Sequence, residues 1–471
     1  MGHRNPTPLA SDNRGVPPLD PTFVPFATIH RDLRNGIAKT AGQPFAVALE
    51  GRNGAIARID AALYPEAHPR ARENAELAAR LIKSLLWERG GGRLIVAGPD
   101  SVTSHVASCY GQDGTRRFDA TLMARIYGDW SIEITALDEV PESVERPTPI
   151  GGHLDGCRIG FDLGASDWKI AAVVDGDAVF TNETPWNPSE ERDPETHYRI
   201  LSDGLREAAG HLPRVDAIGG SAAGVYIDNR VRVASLFRGV PTERFDDVET
   251  LFLRLQREWG VPFVLANDGD VTALAGSLSL GVKRLLGIAL GSSEACGYVD
   301  AAGQLTGWLN ELAFVPIDLQ PDAPADDWSG DTGCGAQYLS QQGVLRLARR
   351  SGIPLCSSAS RAEQLVEVQA LMRKGNERAE QVFRSLGCYL GHAIAQYAED
   401  YDIEHVLVLG RVTSGAGGLL LVETAQSTLK AVYPKVAEAV SLRLPDEAFR
   451  RVGQAIAAAS LPEINPRGKP A

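Results

Sequence analysis

The stretch Ile159-Gly160-Phe161-Asp162-Leu163-Gly164-Ala165-Ser166-Asp167-Trp168-Lys169-Ile170-Ala171-Ala172-Val173-Val174 decides the fold. Two apolar runs, 159–163 and 169–174, flank a turn of small and polar residues, and a third run follows at 178–181. Runs of roughly four to eight such residues bounded by turn formers read as strands, so a three-stranded meander is predicted here. It passes into alternation: a helix near 195–210, a strand at 215–219, a helix near 246–259 and a strand at 263–266. The plan then recurs. Strands at 285–290 and 297–299 open a second round, helices near 338–350, 361–374 and 377–399 follow, and a strand at 406–409 precedes helices at 416–431 and 446–459. Two similar α/β lobes leave a cleft between them, a common place for a ligand.

Upstream of this repeat the text differs. Residues 1–26 hold Pro6, Pro8, Pro17, Pro18, Pro21 and Pro25, a spacing that blocks helix and central strand, and 1–40 reads as a flexible arm. Residues 41–150 predict an accessory α/β domain and its linker. A hairpin turns at Asn53-Gly54, a helix near 70–88 ends at Gly90-Gly91-Gly92, a strand covers 94–97, helices cover 101–109 and 117–126, and a strand covers 131–136. The hairpin faintly echoes 161–164 and its second strand, which raises the idea of a degenerate third copy of the lobe hairpin. The remaining boundaries are 151–282 for the first lobe, 283–445 for the second, a C-terminal helix at 446–461 that packs back on the first lobe, and a tail at 462–471.

Composition narrows the class. With 44% hydrophobic and 23% charged residues the 471-residue chain reads as soluble and globular, and no apolar run approaches the roughly 20 residues of a bilayer span. A net charge of −13 disfavours nucleic acid and anionic lipid as partners. The six cysteines, at 109, 157, 296, 334, 356 and 388, form no CxxC pair, which suits reduced thiols, and no leader pattern opens the sequence; a cytoplasmic protein is expected. A homo-oligomer is compatible with all of this.

Three glycine-punctuated turns follow strands: Asp162-Leu163-Gly164-Ala165-Ser166, Gly291-Ser292-Ser293, and Gly410 through Gly415-Ala416-Gly417-Gly418. Small residues there let backbone amides and hydroxyls approach phosphate oxygens. One such turn is ordinary structure; three, divided between two lobes, suit a nucleotide lying across the cleft. A fourth feature is Asn267-Asp268-Gly269-Asp270, placed after a strand and opening a helix. Asp268 there is either a helix-start carboxylate or a base that accepts the proton of an attacking hydroxyl.

Taken together, residues 160–166, Asn267-Asp268, 290–293, Glu311-Leu312-Ala313-Phe314 and Leu409-Gly410 resemble the ROK sugar kinases of the actin and hexokinase superfamily, over about residues 157–460. The resemblance implies an α/β fold of two actin/hexokinase-like (RNase H-like) lobes around a central cleft. It also implies an ATP- and Mg2+-dependent transfer of phosphate to a hydroxyl of a small-molecule sugar or cyclitol. By the same resemblance Asp268 is the general base, and Asn267 and Glu311 bind acceptor hydroxyls. Asp162 sits near magnesium, with Gly164 and Ser166 in its turn; Gly291 and Ser292 belong to the second phosphate motif and Gly410 to the adenosine motif.

Departures accompany the resemblance. Phe314 stands where the family has a histidine, Ala336 where it has a glutamate, and of the zinc motif matched by 327–334 only Cys334 remains, so no structural zinc is expected. An apolar Phe314 and Ala336 would make glucose a poor acceptor. Glu294 falls in a loop that is glycine-rich in the family, where a carboxylate would repel phosphates unless it turns away. Lys169 reads as a solvated strand residue, and Trp308, Phe314 and Trp328 read as core before a stacking floor. The alternative function is a non-catalytic ROK-like ligand-binding or regulatory protein. Mixed strands and helices at 45–136 speak against a DNA-reading version, and retention of Asp162 and Asp268 favours the enzyme.

Overall fold

The computed structural model describes residues 15–111, 113–146, 150–445 and 447–464. The first fourteen residues of the expected arm and residues 465–471 of the expected tail lie outside the described residues. The rest of the arm departs from expectation. Pro25 fixes an extended φ of −62° at the helix entry, and α1 (Phe26–Ile37) follows, burying Phe26, Ala27, Leu33 and Ile37. Upstream of it, Asp20 accepts the Tyr389 hydroxyl and pairs with Arg346 (3.1 Å) and Arg350. The Phe23 ring lies 4.8 Å from that of Tyr389. The prolines restrict this backbone as expected, but its anchor side chains hold it down, so residues 15–40 are a packed strap.

The accessory unit comprises β1 (Gln43–Glu50), β2 (Ile56–Leu63), α2 (Asn74–Arg89), β3 (Arg93–Ala97), α3 (Asp100–Cys109), α4 (Arg117–Tyr127) and β4 (Ser131–Ile134). Its sheet order is β2-β1-β3-β4, and β3 runs antiparallel to β1. The first lobe holds β5 (Cys157–Leu163), β6 (Asp167–Val174), β7 (Asp177–Pro185), α5 (Pro194–Ala209), β8 (Ala217–Ala222), the hairpin β9 (Val225–Ile227) and β10 (Arg230–Val233), α6 (Phe245–Glu249), α7 (Leu251–Trp259), β11 (Phe263–Asn267) and α8 (Asp268–Leu280). The second lobe follows with β12 (Leu285–Leu290), β13 (Glu294–Val299), α9 (Gln341–Arg350), α10 (Arg361–Arg373), α11 (Glu377–Asp400), β14 (His405–Leu409), α12 (Ala416–Val432), α13 (Pro434–Ala439), β15 (Ser441–Arg443) and α14 (Glu447–Ala459).

The two lobe sheets, ordered β11-β8-β5-β6-β7 and β13-β12-β14-β15, share one plan: the first strand pairs antiparallel with its hairpin partner and parallel with the strand that returns after helix. In the accessory sheet the returning strand β3 is antiparallel to β1, so that sheet is not a third copy of the lobe. A hairpin alone could not reveal this, because strand direction is set by the connection after it.

Two helices lie between the lobe sheets. A Cβ at Gly160 of β5 would collide with the Ala455 carbonyl of α14, and a Cβ at Gly297 of β13 would collide with Asp270 of α8. Helix α8, assigned from chain order to the first lobe, thus lies against the second lobe's sheet, and α14 lies against the first. Gln454 of α14 donates to Thr272 of α8 at 2.5 Å, tying the pair together. The first lobe has its own hydrophobic core, whereas the accessory unit and the second lobe share one.

Candidate active site

The site grows from the carboxyl ends of parallel strands, where open α/β sheets expose loops to ligands. In the first lobe Asp162 of β5 is level with Ser221 of β8, which is level with Ala266 of β11. The Ser221 hydroxyl donates to Asp162 at 2.6 Å. Burial pushes the Asp162 carboxyl up to about 6, helped by the charge of Asp268 and resisted by Ser221 and Lys169. Beyond it, in the turn at 164–166, Ala165 and Ser166 are exposed, and the Ser166 hydroxyl donates to Asp167.

Strand β11 ends at Asn267, which caps α8. Its side-chain carbonyl accepts from Gly269 N–H at 2.7 Å and its amide donates to the Gly224 carbonyl at 2.8 Å, at the root of the β9–β10 hairpin. Asn267 is therefore first a cap and an anchor, with one N–H and one lone pair left for a ligand. Asp268 is the first helical residue. Burial raises its pKa, and the Gly269 N–H, at 3.0 Å, partly offsets the rise. Asp268 thus opens the helix as a first-turn carboxylate, with its pKa raised by burial.

From the second lobe comes Glu311, where burial followed by the charges of Asp268 and Asp270 drives the carboxyl up to about 8. Asp270, unassigned from the sequence, is buried beneath it at about 7, raised by burial and eased by the Asn310 amide at 2.8 Å. Asn310 holds φ of 53° and accepts from the Tyr401 hydroxyl at 3.1 Å, which sets the turn into Glu311. An i, i+2 acidic pair at a helix start was a signal for Asp270; nothing local marked Asn310 or Ser221.

Two of the phosphate-type turns lie side by side in the second lobe. Gly291 and Ser292 follow β12, and Gly410 follows the neighbouring parallel strand β14. Gly410 adopts φ of 96°, and a Cβ there would strike the Leu290 carbonyl, so glycine lets the two turns lie together. The positive charge of Arg411, next in the chain, reaches Asp167 of the first lobe and helps to lower its pKa, after the larger effects of Ser166 and Lys169. Lys169 pairs with Asp167 at 3.1 Å and also influences Asp162, so it belongs to the rim of the site.

Three further features of the sequence can be placed. Glu294 turns inward, accepting from Tyr397 at 3.3 Å, and burial pushes it up to about 8, so it is neutral near pH 7 and faces away from the turn. Phe314 stacks on Trp87 of α2, ring centroids 4.2 Å apart, lies 5.3 Å from the ring of Trp328, and is buried in the core, as the sequence suggests. The segment matched to a zinc motif is held by ion pairs: Lys83 contacts Asp119 (3.0 Å) and Asp331 (2.9 Å), and Arg116 contacts Asp331. Burial opposes ionisation of Asp331, yet Lys83, Arg116 and Arg80 outweigh it and hold the carboxyl at about 2.

The donor set suits a nucleotide with Mg2+. A hard cation takes one or two carboxylates and completes its shell with phosphate oxygens, which Asp162 beside two small-residue turns can accommodate. Among the described residues no group of three or more His, Cys, Asp or Glu side chains is placed to hold a metal ion by itself. No described helix is long and apolar enough to cross a membrane.

The ROK family model matches residues 158–447, and the chain belongs to the ROK family. A ROK hexokinase from Thermus thermophilus is similar in structure, with a TM-score of 0.50 and 22% identity over 64% of this chain and 97% of that one. A ROK family transcriptional regulator, a homolog of the E. coli MLC protein, gives 0.50 and 20% over 65% and 79%. A Listeria monocytogenes protein provisionally assigned as an N-acetylmannosamine kinase gives 0.50 and 15% over 64% and 97%. At these identities the likeness is one of fold, the actin/hexokinase type with two α/β lobes, and the matched region leaves the accessory unit outside it. Comparison with curated proteins finds no match.

Proposed function

We propose that this protein is a carbohydrate kinase that transfers the terminal phosphate of ATP to a hydroxyl of a small sugar or cyclitol. One observation carries the reading: Asp268, with a raised pKa, stands at the carboxyl end of the first-lobe sheet, within electrostatic reach of both Asp162 and Glu311. Family membership and the kinases among its structural neighbours support it.

In this reading Asn267 and Glu311 hold acceptor hydroxyls, and Asp268 accepts the proton of the attacking hydroxyl as its oxygen bonds to the terminal phosphorus and the bond from that phosphorus to the β-phosphate oxygen breaks, releasing ADP. A base must be free of its proton at working pH yet basic enough to take one, and burial moves Asp268 in that direction. The turns containing Gly164, Ser166, Gly291 and Ser292 offer amides and hydroxyls to the phosphates, and Gly410 allows the adenosine to lie against the second lobe. Mg2+ held by Asp162 would neutralise charge on the phosphates. Glu311, neutral near pH 7, can donate as well as accept toward a sugar hydroxyl. A non-catalytic ligand-binding role would not require both Asp162 and Asp268.

The test is ATP consumption by the full chain with Mg2+ and a panel of glucose, mannose, N-acetylmannosamine and myo-inositol, followed by identification of the phosphorylated product. Turnover of one acceptor supports the reading. Tight acceptor binding without phosphate transfer on any member overturns it in favour of a binding protein.

A further inference from the structure

The accessory unit lies outside the family match, yet it touches the acceptor loop more intimately than any independent domain would. Helix α2 ends at Arg89; the Leu86 carbonyl accepts the Gly90 N–H, and the next three carbonyls, of Trp87, Glu88 and Arg89, have no donor left inside the helix. All three are taken up by the loop that carries Glu311. Leu309 N–H donates to the Arg89 carbonyl at 3.2 Å, Asn310 N–H to Glu88 at 3.1 Å and Glu311 N–H to Trp87 at 2.9 Å. A turn of a distant helix and a sequence-remote loop therefore satisfy one another's backbone.

Side chains of the same helix grip the flanks of that loop. The Trp87 ring stacks on Phe314, three residues beyond Glu311, and its indole N–H donates to Asp119 of α4 at 3.0 Å. One turn earlier, the fully buried Lys83 ammonium bridges Asp119 and Asp331, and Arg80 donates to the Thr332 carbonyl at 3.2 Å. The segment 331–334 in turn pairs with the chain after Glu311: Gly335 N–H donates to the Val315 carbonyl, and Ile317 N–H to Gly333. The unit also reaches the other wall of the site, where Arg52 pairs with Asp228 in the β9–β10 hairpin whose root carbonyl holds Asn267.

We propose that α2 is the positioning element of the acceptor site, Lys83 and Trp87 fixing the loop that presents Glu311. This rests on the kinase reading for the identity of the ligand, but the geometry of the loop does not. Lys83 and Trp87 act through Glu311 and touch no reacting atom, so they are positioning residues.

The experiment uses the full chain with Lys83→Met and, as a milder change that keeps an aromatic ring against Phe314, Trp87→Phe. Amide hydrogen exchange of a peptide covering 309–314 should accelerate roughly tenfold or more in a folded variant, while a peptide covering 157–163 in the first lobe is unchanged. With the best acceptor of the panel above, KM for the sugar should rise roughly tenfold while KM for ATP stays within about twofold. If Lys83→Met does not fold, Trp87→Phe supplies both readouts. Unchanged exchange at 309–314, or equal losses on both substrates, overturns the proposal. If the wild type turns over no member of the panel, the kinase reading fails by itself, and exchange at 309–314 still decides the role of α2.

Discussion

Asp268, Asp162, Asp270 and Glu311 concentrate four carboxyl groups around one cleft, and burial lifts the pKa of each. Asp268→Asn keeps the shape and removes the basicity, so phosphate transfer should fall by roughly 10²–10⁴-fold while ATP binding, read by calorimetry, persists. Near-wild-type turnover would rule out Asp268 as the base. The pH profile follows from the same shifts. A base and a metal-binding carboxylate must both be ionised, so kcat/KM should climb as pH rises through the region near 6 that Asp162 occupies, higher than an ordinary carboxylate would give. Glu294 behaves oppositely in stability. Its folded pKa of about 8 exceeds its ordinary 4.5, so its contribution is present at low pH and lost as pH rises through 8. Glu294→Gln should melt higher than wild type at pH 8 and converge with it near pH 5; equal melting at both values would show that the carboxyl is not neutral when buried. Asp162, Asp268 and Glu311 were legible because each sits in a short motif at a strand or helix end. Asn310 and Ser221 were not, since their roles depend on partners 40 and 59 residues away.

At the scale of elements, regular segments with clear punctuation were readable and their neighbours were not. Helix α2 could be placed from its apolar residues and its terminal glycines, but nothing local says that its last carbonyls would hold residues 309–311. Helix α8 is buried on nearly every side between the lobes, and a helix without a polar face gives no direction to its packing, so chain order misassigned its sheet. Helix α1 was hidden by the prolines before it. The segment 326–334 offers a test at this scale. Ion pairs from Lys83 and Arg116 tie Asp331 of this segment to the accessory unit, and of the zinc-motif residues only Cys334 is present, so a strong chelator should leave the melting temperature of the purified protein unchanged, and elemental analysis should find far less than one zinc per chain. A chelator-induced drop would place a metal in this segment. Replacing Lys83 should be costly in contrast, since stranding a buried Asp119 typically costs about 3–5 kcal/mol.

Across the whole molecule the three units are joined unequally. The accessory unit and the second lobe share a hydrophobic core, and the strap at 15–40 ties down on the same lobe through Asp20 and Phe23. Contact with the first lobe runs mainly through the β9–β10 hairpin: Val225, Ile227 and Val233 pack against the shared core, Arg52 pairs with Asp228, whose side chain is 78% exposed, and nearby Arg125 lies 4.9 Å over the Phe245 ring. The accessory unit shares its core with the second lobe, so its contact with the hairpin is where a change in the relative position of the lobes would be felt. An exposed ion pair contributes roughly 0–1 kcal/mol, too little to change global stability but enough to shift an open-to-closed ratio by up to about fivefold. Arg52→Glu places two negative charges together at the hairpin. At low salt it should leave the melting temperature within error and increase the radius of gyration measured by small-angle scattering, and the reversed pair Arg52→Glu/Asp228→Arg should restore the compact value. At about 1 M salt, where the screening length falls to roughly 3 Å, wild type and the single variant should scatter alike. Identical low-salt scattering of all three proteins would show that other contacts hold the lobes and that this ion pair does not sense their relative position.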